Sequence, residues 1–272
     1  MSIPYYSYLQ TQGILQNAVD NITKTVAESS VEVVNATVVA NESGIFGGMF
    51  NVPIDPMYLA IIGAGIAVGV AGIASAIGAG IAGSTGAKAV AEDPKQFSTS
   101  LLFQALPQTQ GIYGFLIAIL ILLGAGVIGT AREITLAQGL GALGAGLAVG
   151  IAAVSAIGQG IAASAGIGAV KEDKKMFGKS ILFSVLPETQ ALYGFIISIL
   201  ILIGVGLFGT TAKTIPEVLG WASIGAGLAA GIAGISALGQ GIAAAGGIGA
   251  VLERSKVFGK SILFSVLPET QA

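Results

Sequence analysis

A carboxylate set deep inside a long apolar run, twice over and at one place in a repeated unit, constrains this chain more than any other feature. In ILFSVLPETQALYGFIISILILIG (181–204), Glu188 lies about nine residues, roughly 13 Å of helix, past a basic loop. ILFSVLPETQA (262–272) sets Glu269 at the same place, and LLFQALPQTQGIYGFLIAILILLG (101–124) is a third copy with Gln108 instead of the acid. An ionised carboxylate in hydrocarbon is expensive, so it must be protonated, paired or coordinated, and such residues mark ion pathways.

The flanking sequence repeats as well. SAIGAGIAG (75–83), SAIGQGIAA (155–163) and SALGQGIAA (236–244) are one motif, and Pro107, Pro187 and Pro268 stand 80 and 81 residues apart. Each unit is a Gly-rich apolar helix, a basic loop and a Leu/Ile-rich apolar helix, which is a transmembrane hairpin. The expected architecture is an all-α membrane protein of three tandem transmembrane helical hairpins that assemble into a ring. Residues 1–56 form a polar N-terminal segment, 57–130 hairpin one, 131–211 hairpin two and 212–272 hairpin three, whose second helix is cut short as in a fragment. Head-to-tail repeats of this kind extend a wall or ring, unlike the inverted repeats of many secondary transporters.

Charge sets the orientation. Nine of the 12 Lys and Arg fall in three loops, at Lys88 and Lys95, at Lys171, Lys174, Lys175 and Lys179, and at Arg254, Lys256 and Lys260. The positive-inside rule makes these loops cytoplasmic and the N-terminus extracytoplasmic. The polar segment 1–56 lacks the pattern of a signal peptide and has room for a helix from Ile14 to about Ala40. Its three sequons, at Asn21, Asn35 and Asn41, would lie outside, in a stretch whose Asn and Thr content accounts for such triplets.

Composition excludes several chemistries. With 54% hydrophobic and 10% charged residues, the chain belongs in a lipid bilayer, and a net charge of −2 gives no basic face for nucleic acid. No Cys or His means no disulfide, thiol nucleophile, Ser/His/Asp triad or usual zinc site. GAGVIG (124–129) and GVGLFG (204–209) match the dinucleotide fingerprint literally but follow no strand, and are false positives.

The neighbours of Glu188 complete the signal. Leu186, Thr189, Gln190 and Tyr193 share one helix face, centred roughly 150° from Glu188. Each such helix therefore shows a carboxylate to one neighbour and hydroxyl and amide groups to the other, a heterologous contact able to close into a ring. Glu188 is expected to meet Thr109 and Gln110 of hairpin one with Gln159 of its own, and Glu269 to meet Thr189 and Gln190 with Gln240. A hard cation takes oxygen ligands, so a shell of this kind points to sodium, whereas a proton needs only the carboxylate. Hairpin one loses both ion-site groups, with Gln108 for the Glu and Ala79 for the Gln, while Leu106, Thr109, Gln110 and Tyr113 remain.

LPETQALYGF, LPQTQGIYGF and SAIGQGIAA resemble the proteolipid, the c- or K-type rotor subunit, of archaeal A-type and related V-type ATPases, most of all the sodium-coupled branch. The resemblance covers residues 57–272. It implies a homo-oligomeric ring that turns against a stator membrane subunit and drives, through a central stalk, ATP synthesis or hydrolysis in a separate head. The subunit would itself be non-catalytic, carrying Na+ (or H+). The family's sodium ligands map onto Leu106 (backbone carbonyl), Thr109, Gln110, Gln159 and Glu188, and onto Leu186, Thr189, Gln190, Gln240 and Glu269. Its Tyr, which hydrogen-bonds the Glu, matches Tyr113 and Tyr193. The rival readings are a standalone cation transporter, which needs a pore within one chain, and a purely structural ring former, in which the acids carry nothing.

Overall fold

The computed structural model describes residues 55–208 and 215–271, together with Asn17, Asp20, Asn21, Lys24, Thr25 and Glu28 of the N-terminal segment. Those six are helical and exposed, within the expected helix, and Lys24 pairs with Glu28 one turn on at 3.8 Å. Asn35, Asn41 and Lys213 lie outside the described residues. Met1–Pro53 and Ile54–Ala272 are separate compact units, and the second holds the long apolar helices.

Five helical spans are long and apolar enough to cross a membrane: α1 Pro56–Glu92, α2 Pro94–Gly124, α3 Leu136–Glu172, α4 Lys174–Gly204 and α5 Glu217–Glu253. A sixth helical segment, α6, occupies 255–271. At 37 and 31 residues the longer and shorter spans run about 55 and 46 Å, well beyond the roughly 30 Å hydrocarbon core. Asp55 caps α1 by accepting from Met57 N, and Asp93 and Asp173 accept from Lys95 N and Lys175 N to turn each tight loop into the next helix. The helix pairs α1/α2, α3/α4 and α5/α6 are the three hairpins.

The first helices of the hairpins stand side by side as an inner row, α1 against α3 and α3 against α5, and the second helices form an outer row. The middle helix α3 is enclosed: its most apolar stretch is wholly buried, against 39% for α1 and 33% for α5. Glycine permits this crowding. A Cβ on Gly160 would collide with the Gly78 carbonyl, and one on Gly241 with the Gly158 carbonyl, one hairpin further on. The contact therefore repeats in register.

Two departures from straight α-helix matter for the site. Pro107, Pro187 and Pro268 lack an N–H, and each outer span tightens there into a 3₁₀ turn, Leu106–Gln108, Leu186–Glu188 and Leu267–Gln271. The inner helices α3 and α5 also tighten, with Val154 N bonded to Ile151 O and Ile235 N to Ile232 O, both at 3.0 Å. Their GAG and SA(I/L)G motifs are one residue closer together than in α1, which stays α-helical throughout. Three residues of 3₁₀ helix rise about 6 Å, as four α residues do, so the turn absorbs the deletion and keeps both halves in register. At the other end α4 stops at Gly204, and Gly206 just beyond turns the chain at φ 64°. Gly124, Gly126, Gly129, Gly204 and Gly206 of the two false fingerprints thus lie at or just past helix ends, with Gly126 and Gly129 also at positive φ.

Candidate ion site at the hairpin interfaces

The Pro-driven 3₁₀ turns bring the polar residues of one hairpin to the carboxylate of the next. The single Thr109 hydroxyl proton is shared between Leu106 O at 3.1 Å and Gln110 Oε1 at 3.0 Å, holding both side chains on the flank of α2. Gln110 Nε2 donates to Gln159 Oε1 of α3 at 2.7 Å, and Gln159 Nε2 donates to Glu188 Oε2 of α4 at 3.2 Å. From α2, Tyr113 OH donates to the other carboxylate oxygen of Glu188 at 2.7 Å. The Tyr113 ring packs on Phe195 with centroids 5.3 Å apart, which sets its hydroxyl. Three helices from two hairpins thus supply one connected polar series in an apolar setting.

The same series recurs one hairpin on. The single Thr189 hydroxyl proton is shared between Leu186 O at 2.9 Å and Gln190 Oε1 at 3.0 Å, and Gln190 Nε2 donates to Gln240 Oε1 at 2.8 Å. Gln240 Nε2 and Tyr193 OH each donate to Glu269 at 3.1 Å. Gln110, Gln159, Gln190 and Gln240 are fully buried, while both glutamates are half-buried. The two series share no side chain.

Hairpin one shows no such series. Gln108 is exposed and Ala79 has no polar atom, so α1 and α2 offer a preceding hairpin neither charge nor amide at Ala79. On the opposite flank of the chain, Thr270 Oγ1 already donates to Leu267 O at 2.7 Å, and Gln271 is exposed beside it.

Leu106 O, Thr109 Oγ1, Gln110 Oε1, Gln159 Oε1 and the Glu188 carboxylate are hard oxygen donors with a single negative charge among them. Among the described residues no group of three or more His, Cys, Asp or Glu is placed to hold a metal ion. A donor set of neutral oxygens with one carboxylate has the chemistry to hold a monovalent cation or a proton. Sequence reasoning missed two polar side chains on the face of α4 that carries Glu188, Ser180 and Ser184, although their spacing at i, i+4 and i+8 was available to read.

A family model for the ATP synthase C subunit matches residues 62–121, 135–201 and 224–272, one stretch per hairpin. The chain belongs to the ATP synthase C-subunit family. The A-type ATP synthase subunit K of Methanocaldococcus jannaschii is 54% identical over 219 residues, covering 80% of this chain and 93% of that protein. The V-type sodium ATPase subunit K of Enterococcus hirae is 36% identical over 148 residues, 54% of this chain and 92% of the relative. The 16 kDa proteolipid of the Homo sapiens V-type proton ATPase is 27% identical over 145 residues, 53% and 90% of the two chains. This chain is thus a multi-pass membrane rotor-ring subunit of a rotary A/V-type ATPase, one part of an ATP synthase complex.

Proposed function

We propose that Glu188 and Glu269 carry sodium ions around the ring, each held between adjacent hairpins. The observation behind this reading is the hydrogen-bonded series Thr109, Gln110, Gln159 and Glu188, with its duplicate at Glu269. A proton carrier needs only the carboxyl group, whereas these oxygens supply the shell a sodium ion needs to shed its water. The ligands are the Leu106 carbonyl, Thr109, Gln110, Gln159 and Glu188 at one site, and the Leu186 carbonyl, Thr189, Gln190, Gln240 and Glu269 at the other. Tyr113 and Tyr193 orient the carboxylates. The similarity to a V-type sodium ATPase subunit K supports the choice of ion.

In this reading the ring turns against a stator membrane subunit, where each carboxylate gives up its ion on one side and takes another from the opposite side. The basic loops face the cytoplasm and dock a central stalk, which carries torque to a separate catalytic head. The subunit itself does no nucleotide chemistry. With hairpin one lacking its carboxylate, each chain carries two ions for three hairpins. Each ion crossing contributes about 2.3 kcal/mol per 100 mV, so such a ring favours pumping, or synthesis only at high membrane potential.

The test is carbodiimide modification of the two glutamates in the purified ring, read site by site by mass spectrometry. Sodium should slow modification of both at neutral pH. Absence of protection at every sodium concentration would make these proton sites and reduce Thr and Gln to braces between helices.

A further inference from the structure

The middle hairpin shows a complete contact with neighbours on both sides, and the outer two show where that contact is missing. On α3, a Cβ at Gly146 or Gly160 would strike the Gly63 or Gly78 carbonyl of α1. One at Gly144 or Gly158 would strike the Ser223 or Ala237 carbonyl of α5, so two glycines serve each side. On α1, Gly63 and Gly78 meet Ala142 and Ala156 of α3 in the same way, while Gly65 and Gly80, the counterparts of Gly146 and Gly160, have open space. The pattern on α5 is complementary. Gly227 and Gly241 meet Gly144 and Gly158, Gly225 has open space, and Gly239 has only Pro268 Cβ of its own hairpin, at 3.9 Å. Each edge of the chain thus carries the half of the contact that the other edge lacks. The internal interface continues when α5 of one chain meets α1 of the next, with Gly80 against the Gly239 carbonyl and Gly65 against that of Gly225.

That register sets Gln108 toward Thr270 and Gln271 of the preceding chain, as Glu188 is linked to Gln110 through Gln159. In the single chain Gln108, Thr270 and Gln271 are all exposed, whereas Gln110 and Gln190, the counterparts of Gln271, are fully buried. Gln271 is also turned differently. Its Nε2 donates back to Thr270 Oγ1 at 3.1 Å, while Gln110 and Gln190 accept from their threonines and donate to the next hairpin. An amide at the depth of Glu188 that faces hydrocarbon without a partner is costly. The two replacements in hairpin one together supply the partner. Ala79 is shorter than Gln by a methylene and an amide, which opens the space between Gln108 and the preceding hairpin. An ionised acid only accepts, whereas the Gln108 amide donates and accepts and can pair directly with another amide.

We propose that successive copies of this chain are joined by an amide lock, Gln108 of one chain paired with Gln271 of the preceding one. It lies at the depth where the two junctions inside the chain hold their carboxylates. The lock is neutral and needs neither an ion nor a proton. Cohesion between chains therefore stays constant while Glu188 and Glu269 load and empty. The inference rests on the ion-carrying reading of those two glutamates and assigns a separate task to the third junction.

Purified full-length rings, heated with and without sodium and followed to free chains by native mass spectrometry, provide the test. Gln108→Ala should lower the dissociation temperature by a few degrees, equally with and without sodium, and Gln271→Ala should do the same. The double variant should be no less stable than either single one, because removing both partners leaves no amide unpaired. Additive losses would mean that the two amides do not meet and that something other than this edge of a second copy covers Gln108. A second variant, Ala79→Gln with Gln108→Glu, gives hairpin one the groups that hairpins two and three carry. It should raise the sodium count from two to three per chain, and adding Thr270→Ala should return it to two. A count that stays at two in an intact ring of this variant would also overturn the proposal. If the unaltered ring binds no sodium, the ion reading fails instead, and the dissociation temperatures still decide the lock.

Discussion

Replacing Gln159 by Ala probes the proposed ion site at a fully buried member. The Gln159 amide both accepts from Gln110 Nε2 at 2.7 Å and donates to Glu188 Oε2 at 3.2 Å. Its removal leaves a buried donor on Gln110 and strips one of the two donors from Glu188, the other being Tyr113. Each loss costs about 1–3 kcal/mol, and water entering the vacated space returns part of the sum. A net loss of about 3 kcal/mol corresponds to roughly a hundredfold weaker binding. The assay is the sodium concentration that half-protects each glutamate from carbodiimide, measured separately for Glu188 and Glu269. Because the second site uses Gln240 and Tyr193 and shares no side chain with the first, its midpoint should not move. Equal shifts at both glutamates, or no shift at Glu188, would refute the assignment of Gln159 to that site alone. Hairpin one carries Ala79 at the corresponding position, in the unit that also lacks its acid.

Three further outcomes rest on the same geometry. Thr109→Ala should weaken sodium protection of Glu188 by about fivefold and spare Glu269, while Thr189→Ala should do the reverse; if Thr189→Ala instead disables Glu188, the ligands lie within one hairpin. Gly160→Val should destabilise the assembled ring by about 1–3 kcal/mol or more, seen as a lower dissociation temperature, because its side chain meets the Gly78 carbonyl. Gly168→Ala, with open space around it, is the control that should leave the ring unaltered. A single cysteine at Lys174 should resist label applied outside the cell and one at Glu217 should react; the opposite pattern would invert the topology.

Much of the hydrogen bonding at the candidate site was legible in the sequence because helical geometry turns spacing into direction. Thr189 and Gln190 stand on the opposite face from Glu188, so they were expected to face a different hairpin, and the structure has Gln190 bonded to Gln240 of hairpin three. The repeats of 80 and 81 residues gave the hairpins directly. The one-residue difference between them was visible, but its consequence was not. Only the backbone shows that α3 and α5 tighten at Val154 and Ile235 to absorb a deletion that α1 lacks. The glycines told the same incomplete story: small residues announced close packing, yet which carbonyl each one meets depends on the tilt and register of neighbouring helices, as with Gly160 against Gly78. Ser180 and Ser184 went unnoticed because serine is common in membrane helices, and burial without a partner is a property of the packed structure.

The most direct measurement counts sodium ions on the intact ring. Purified rings, equilibrated with sodium and analysed by native mass spectrometry, report chains per ring and ions per ring together. Glu188 and Glu269 each accept from a buried Gln of their hairpin's inner helix, whereas Gln108 is exposed and its hairpin has Ala79 in place of that Gln. Two ions per chain is the expected result, falling to one when either glutamate is replaced by Gln. Three ions per chain, or occupancy that survives Glu188→Gln and Glu269→Gln together, would contradict the account.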